Sequence, residues 1–108
     1  MRKIFVTGAT GFLGSSVVKL LAATGYDIHC LKRKSSNLFR LNGSLSKIKF
    51  VELEGINFTE YFRDHQIDCT LHCATNYGRL EKNPIDTIEA NLLLPLKMLY
   101  AASNSNVK

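Results

Sequence analysis

The chain of 108 residues is 45% apolar and 21% charged, with a formal net charge of +5, the composition of a single globular domain that can hold a core without metal or disulfide staples. It has no run of about 18 apolar residues to cross a membrane, and the apolar stretch after Met1 is too short for a signal-peptide core. Membrane insertion and secretion are therefore set aside and a cytoplasmic protein is expected. Apart from Lys32-Arg33-Lys34 the basic residues are dispersed, unlike the broad, aromatic-interleaved stripe of a nucleic-acid-binding face.

Residues 2–7 read as a first strand whose apolar side chains are continuous, as in a parallel strand buried on both faces. Gly8, Gly11 and Gly14 follow at intervals of three, and a helix is expected over 12–24. Leu13, Val17, Leu20 and Leu21 are expected to form its buried stripe, with Ser16, Lys19 and Ala23 outward and Gly25 closing it. A second strand is expected over 26–31, then the basic run and a Ser35-Ser36-Asn37 turn. Residues 38–41 give at most a short helical piece. The alternating stretch 47–53 reads as a third strand near a sheet edge. A short helix over 59–65, capped by Thr59 or Asn57, leads to a fourth strand over 67–73.

Residues 74–86 read as a loop, and 87–104 as the longest helix, with Ile88, Leu92, Leu96 and Leu99 on one face. Pro95 has no N–H to give the carbonyl of Asn91, so a kink is expected there. Val107-Lys108 reads as the start of a further strand. The alternation of strands and helices predicts an α/β, Rossmann-type three-layer fold. Its four-stranded parallel sheet has the order 3-2-1-4, carries helices on both faces and is incomplete at its C-terminal side. Cys30, Cys69 and Cys73 are odd in number, lie in strand-like runs and form no CxxC pair. They are read as buried free thiols of a reducing compartment, with no zinc or other metal site.

The strand–glycine turn–helix succession predicts a phosphate cradle. Residues without Cβ let backbone N–H groups approach a pyrophosphate, and the new helix adds free N–H groups and the positive end of its dipole. At the end of the second strand an acid would hydrogen-bond the ribose hydroxyls of NAD. Lys32 and Arg33 stand there instead, which suits the extra phosphate of NADP; a solvated basic turn is the bland alternative, and NAD the alternative cofactor.

TGATGFLG resembles the opening motif of the extended short-chain dehydrogenase/reductases, the NAD(P)-dependent nucleotide-sugar epimerase/dehydratase family. LHCATNYGR at 71–79 and the run from Asn91 through Pro95 to Leu99 are similar to later segments of that family, closest to its branch of CDP-abequose synthase-like reductases. The resemblance covers essentially the whole chain. It implies cofactor contacts from Gly8, Thr10, Gly11, Phe12, Leu13, Gly14, Lys32, Arg33, Ile56, Ala74 and Thr75. It also implies a place for Asn91 near the active site, and substrate-facing positions for Asn76, Tyr77, Gly78 and Arg79. Gly55 stands where the family's adenine-binding acid would align, so either Glu54 substitutes or backbone atoms of Ile56 serve. His72 is expected to be a core histidine with a bonded ring nitrogen.

The family's Tyr-x-x-x-Lys pair is absent. The four tyrosines, Tyr26, Tyr61, Tyr77 and Tyr100, are followed at that spacing by Cys30, His65, Glu81 and Asn104. The expectation is the N-terminal, NAD(P)-binding portion of a nucleotide-sugar reductase, epimerase or dehydratase, with the catalytic half and substrate domain lying elsewhere and this chain inactive alone. The alternative is a non-catalytic dinucleotide sensor or interaction module, which a stop codon directly after Lys108 would favour. An unpaired sheet edge gives a homodimer a route to form.

Overall fold

The computed structural model describes residues 2–75 and 83–108. Among them, four parallel strands form one sheet in the order β3-β2-β1-β4: β1 (Lys3–Thr7), β2 (Asp27–Lys32), β3 (Ile48–Glu52) and β4 (Cys69–His72). Helix α1 (Phe12–Ala23) joins β1 to β2, and α2 (Phe58–Asp64) joins β3 to β4. A continuous helical stretch follows, made of α3 (Pro84–Ile88), a π-helical segment Glu89–Leu93 and α4 (Leu94–Ser103). Two short 3₁₀ turns, Phe39–Leu41 and Leu45–Lys47, lie between β2 and β3.

Strand alternation divides the core in two. Ile4, Val6, Ile28, Cys30 and Ile48 meet Val18, Ala22 and Leu41 on one face. Phe5 and Leu31 meet Phe58, Phe62, Ile67, Met98, Ala101 and Ala102 on the other. Phe5 is the hub of the second core, edge-on to Phe58, Tyr61 and Phe62 at centroid distances of 6.1, 5.6 and 5.0 Å, the geometry aromatic quadrupoles favour. Burial on both faces explains why β1 is continuously apolar.

Helix α1 is rotated from its expected orientation. Gly14, Ser15, Val18 and Ala22 are buried, whereas Leu13 and Leu20 are 65% and 67% exposed and Leu21 packs only at the margin of the core. The cause is close approach. A Cβ on Gly14 would lie 1.9 Å from the Gly8 carbonyl oxygen, so the helix meets the loop through its small residues and the leucines turn away.

The C-terminal helix begins earlier than expected. Asn83 caps it, its Oδ1 accepting from the Ile85 N–H at 3.0 Å, and Pro84 takes the first turn, where its missing N–H costs nothing. Just before Pro95, where a kink was expected, the helix has a π-helical segment, since a proline that cannot donate to the preceding turn favours a locally widened helix. Ile88, Leu92, Leu96 and Leu99 do share a face, and all four are more than half exposed; the sheet is met instead by Met98, Ala101 and Ala102.

Asn57 is the cap of α2, its Oδ1 accepting from the Glu60 N–H at 3.1 Å. Lys108 pairs with the outer edge of β4: its N–H donates to the Asp68 carbonyl at 3.0 Å and its carbonyl accepts from the Thr70 N–H at 2.6 Å. That exchange is a parallel-strand pairing and matches the strand start read at 107–108.

Candidate functional site

The carboxyl ends of β1, β2 and β4 open on one side of the sheet, where ligands bind in open α/β sheets. Backbone and side-chain bonds tie the ends of β1 and β4 together. The Cys73 N–H donates to the Thr7 carbonyl at 3.1 Å. Thr7 Oγ1 accepts from the Ala74 N–H at 3.3 Å and lies 2.7 Å from His72 Nδ1. His72 therefore has the expected bonded ring nitrogen, but the residue is exposed rather than part of the core; desolvation still holds its imidazole below the ordinary histidine pKa.

Gly8 follows β1 with φ +70°, a conformation costly for other residues. A Cβ there would come within 2.5 Å of the Ala74 nitrogen and the Cys73 carbonyl carbon, so two backbones touch where a side chain would separate them. The loop then closes on itself, with the Gly11 N–H donating to the Gly8 carbonyl at 3.1 Å and the Ser15 N–H to the Gly11 carbonyl at 3.0 Å. Phe12, Leu13 and Gly14 form the first turn of α1, whose N–H groups have no partner within the helix. No side chain caps this end and no acid lies in its first turn. The result is a concave backbone surface with unneutralised positive dipole.

A cavity of about 110 Å³ at this mouth is lined by Thr7, Gly8, Thr10, Leu31, Lys32, Arg33, Ser36, Leu53, Ala74 and Leu94. A second, of about 280 Å³, shares Arg33, Leu53 and Leu94 and adds Ile56, Phe58, Glu89, Ala90, Leu93 and Lys97. Arg33 thus stands between the glycine loop and a largely apolar recess. The turn that carries it is fixed by Ser36, whose Oγ accepts from the Arg33 N–H at 2.9 Å and whose own N–H donates to the Arg33 carbonyl at 3.0 Å.

The structure brings Gly8, Thr10, Lys32, Arg33 and Ala74 to the first cavity and Arg33 and Ile56 to the second. Glu54 lies elsewhere. Its Oε1 accepts from the Lys34 N–H at 3.2 Å and it lines a separate depression along the β3 edge, which leaves Ile56, not Glu54, at the recess. Gly11 and Gly14 shape the loop from behind. Phe12 and Leu13 present exposed side chains that line neither cavity. Thr75 is exposed just past Ala74, and Asn91 is exposed within the π segment; neither lines either cavity. Tyr77 and Arg79, with Asn76 and Gly78, lie outside the described residues.

Leu53, Leu94 and Arg40 were not singled out from the sequence, and Ser36 only as part of a turn. Arg40 has its guanidinium 4.7 Å above the Phe39 ring and donates from Nη1 to the Thr10 carbonyl of the glycine loop at 3.2 Å. A position seven residues beyond Arg33 carries no local signal of that contact. Among the described residues there is no group of three or more His, Cys, Asp or Glu able to hold a metal, and no helix is long and apolar enough to cross a membrane. Cys30 is buried and Cys69 and Cys73 are partly buried, all as free thiols; burial pushes Cys30 up to about 12.

Residues 4–108 match the model of the NAD dependent epimerase/dehydratase family. The chain is 32% identical over 99 residues to CDP-abequose synthase of Salmonella muenchen, an alignment covering 91% of this chain and 32% of that protein. It superposes on UDP-glucose 4-epimerase of Thermotoga maritima, solved with UDP-glucose, with a TM-score of 0.82 and 25% identity, covering 99% of this chain and 36% of the epimerase. The Bordetella bronchiseptica enzyme WbmH, solved with NAD+, gives a TM-score of 0.82 at 23% identity, with 99% and 36% coverage. The chain therefore spans about a third of the length of these relatives.

Proposed function

The chain belongs to the NAD dependent epimerase/dehydratase family, and from that premise we propose that it is the cofactor-binding part of an NADP-dependent nucleotide-sugar reductase, epimerase or dehydratase working in the cytoplasm. The observation that carries the dinucleotide reading is the pair of close approaches at Gly8 and Gly14, where a Cβ would strike backbone at 2.5 and 1.9 Å. A loop compressed in this way leaves room for nothing but main chain, and main-chain N–H groups at a helix start are what a pyrophosphate needs.

The residues present fit the group. The N–H groups of Phe12, Leu13 and Gly14 would take the phosphates. Arg33 and Lys32 would meet the 2′-phosphate, with charge-assisted bonds where NAD-binding folds carry an acid. Leu53, Ile56 and Leu94 supply apolar surface for a flat base. A bound nicotinamide would supply the hydride, and the proton would come from side chains not among these 108 residues. What the chain itself does is bind and orient: the Thr7–Ala74 and Thr7–Cys73 bonds hold the ends of β1 and β4 in one register beside the loop.

Calorimetric titration of NADPH and NADH into the protein encoded by the complete reading frame tests this. NADPH should bind more tightly, and Arg33→Ala should remove about tenfold of NADPH affinity while leaving NADH unchanged, the scale of one hydrogen bond to a charged group. Equal affinity for the two cofactors would overturn the NADP assignment.

A further inference from the structure

Arg40 reaches the glycine loop from the 3₁₀ turn Phe39–Leu41 between β2 and β3. Its Nη1 donates to the Thr10 carbonyl at 3.2 Å. The N–H of that same peptide, on Gly11, donates to the Gly8 carbonyl at 3.1 Å. Both ends of the Thr10–Gly11 peptide plane are thus bonded. The plane needs this, because it is flanked by a residue with no Cβ. Rotation of the peptide changes φ at Gly11, where glycine offers little steric resistance. A flipped plane would withdraw the N–H of Gly11 from Gly8 and misalign the first turn of α1, whose N-cap is Gly11.

The arginine is itself held in place. Leu41 next to it is fully buried and belongs to the same core as Val18 of α1. Asn37 Oδ1 accepts from the Phe39 N–H at 3.0 Å, which fixes the entry to the 3₁₀ turn. The guanidinium lies 4.7 Å over the Phe39 ring, a cation–π arrangement that limits its rotamers.

We infer that Arg40 is a positioning residue that locks the Thr10–Gly11 peptide and so keeps the phosphate-facing N–H groups of α1 aligned. Its consequence for ligands rests on the dinucleotide reading above; its effect on the loop does not. Arg40 acts on the part of the site common to both cofactors, whereas Arg33 acts on the part that differs.

The test is Arg40→Met in the protein from the complete reading frame, with amide hydrogen exchange and dinucleotide titration measured together. Exchange at the Gly11 amide of the ligand-free protein should accelerate about tenfold, as expected for loss of one locking bond. NADH and NADPH affinities should fall by the same factor, also about tenfold. Arg40→Lys, which keeps a charged donor, should recover most of both. Unchanged exchange at Gly11, or a loss confined to NADPH, would overturn the inference, the latter by making Arg40 a phosphate ligand. If the wild-type protein binds neither dinucleotide but exchange still accelerates, the cofactor reading fails and the positioning role stands. Should Arg40→Met fail to fold, Phe39→Leu removes only the exposed stacking surface, and an accelerated Gly11 amide is again expected; protection equal to wild type would contradict the inference.

Discussion

Helices α1 and α4 both make a close approach through small residues, Gly14 on one and Ala101 and Ala102 on the other, yet what they meet there differs. Under α1 the partner is the backbone of the glycine loop: Gly14 stands so close that a Cβ would reach within 1.9 Å of the Gly8 oxygen and 2.6 Å of the Gly8 carbonyl carbon. Under α4 the partners are side chains, with Met98, Ala101 and Ala102 against Phe5, Phe58 and Phe62. Backbone cannot move aside without dismantling the loop, whereas a methionine among phenyl rings can repack. The first contact is therefore tied to the site and the second to the core.

That contrast can be broken most sharply at Gly14. Gly14→Ala should lower stability by about 3 kcal/mol, at the upper end of overpacking costs, and weaken dinucleotide binding in whatever fraction remains folded. Thermal unfolding followed by circular dichroism measures the first effect. An unchanged midpoint would mean that α1 is free to slide over the loop.

A second break lies under α2, the helix beside α4, and it is read through pH. His29 is buried, with Nδ1 2.7 Å from the Tyr61 hydroxyl and Nε2 3.5 Å from Asp27 Oδ1. Burial pushes its imidazole below the ordinary 6.5, and the Asp27 charge pulls the other way without overcoming it. The unfolded chain then binds more protons than the folded one as pH drops through about 6.5, so stability is full above that value and is lost below it. His72 shifts in the same direction. Asp27 itself is displaced below 3.8, outside this window. The unfolding midpoint should fall by a few degrees between pH 7.5 and pH 5.5, and His29→Gln should flatten that slope. A midpoint that rises on acidification would contradict the assignment.

The smallest effect is expected on the outer ridge of α4. Leu96 and Leu99 are 57% and 68% exposed and belong to neither core. Leu96→Gln should change stability by less than about 0.5 kcal/mol, the scale of ordinary surface substitutions. Ala101→Leu, on the buried face of the same helix, should cost about 1–3 kcal/mol by overpacking. Denaturant titration of the pair separates the two faces of one helix, and equal costs would erase the distinction.

These helices also show what the sequence reveals and what it hides. Strand order, the parallel pairing and the placing of the glycines at the end of β1 follow from local pattern, since alternation of strand and helix allows few topologies. The leucine spacing of α1 and α4 is equally visible, but which face turns inward depends on how closely a helix can approach, and that is decided by Gly14 and Ala101 rather than by the largest side chains. The same limit applies at the site. As lining of the cavity at the glycine loop, Gly8, Lys32 and Arg33 were legible from their offsets to a strand end, and Ala74 through the family resemblance. Arg40 was not, because its contact with Thr10 spans 30 residues and arises from the packing of a 3₁₀ turn on α1. The exposure of His72 was hidden for a similar reason: it stands at the last position of β4, the outermost of the four strands on its side of the sheet, where cover depends on neighbours that local sequence does not specify.

The central claim is that the loop from Gly8 to Gly14 holds the phosphates of a nicotinamide dinucleotide. Amide chemical-shift perturbation on adding NADPH to the isotopically labelled protein tests it most directly. The account predicts saturable shifts at Gly8, at residues 11–14, at Arg33 and at Ala74. Shifts confined to the β3 edge around Glu52 and Asp64, or none at saturating NADPH, would contradict it.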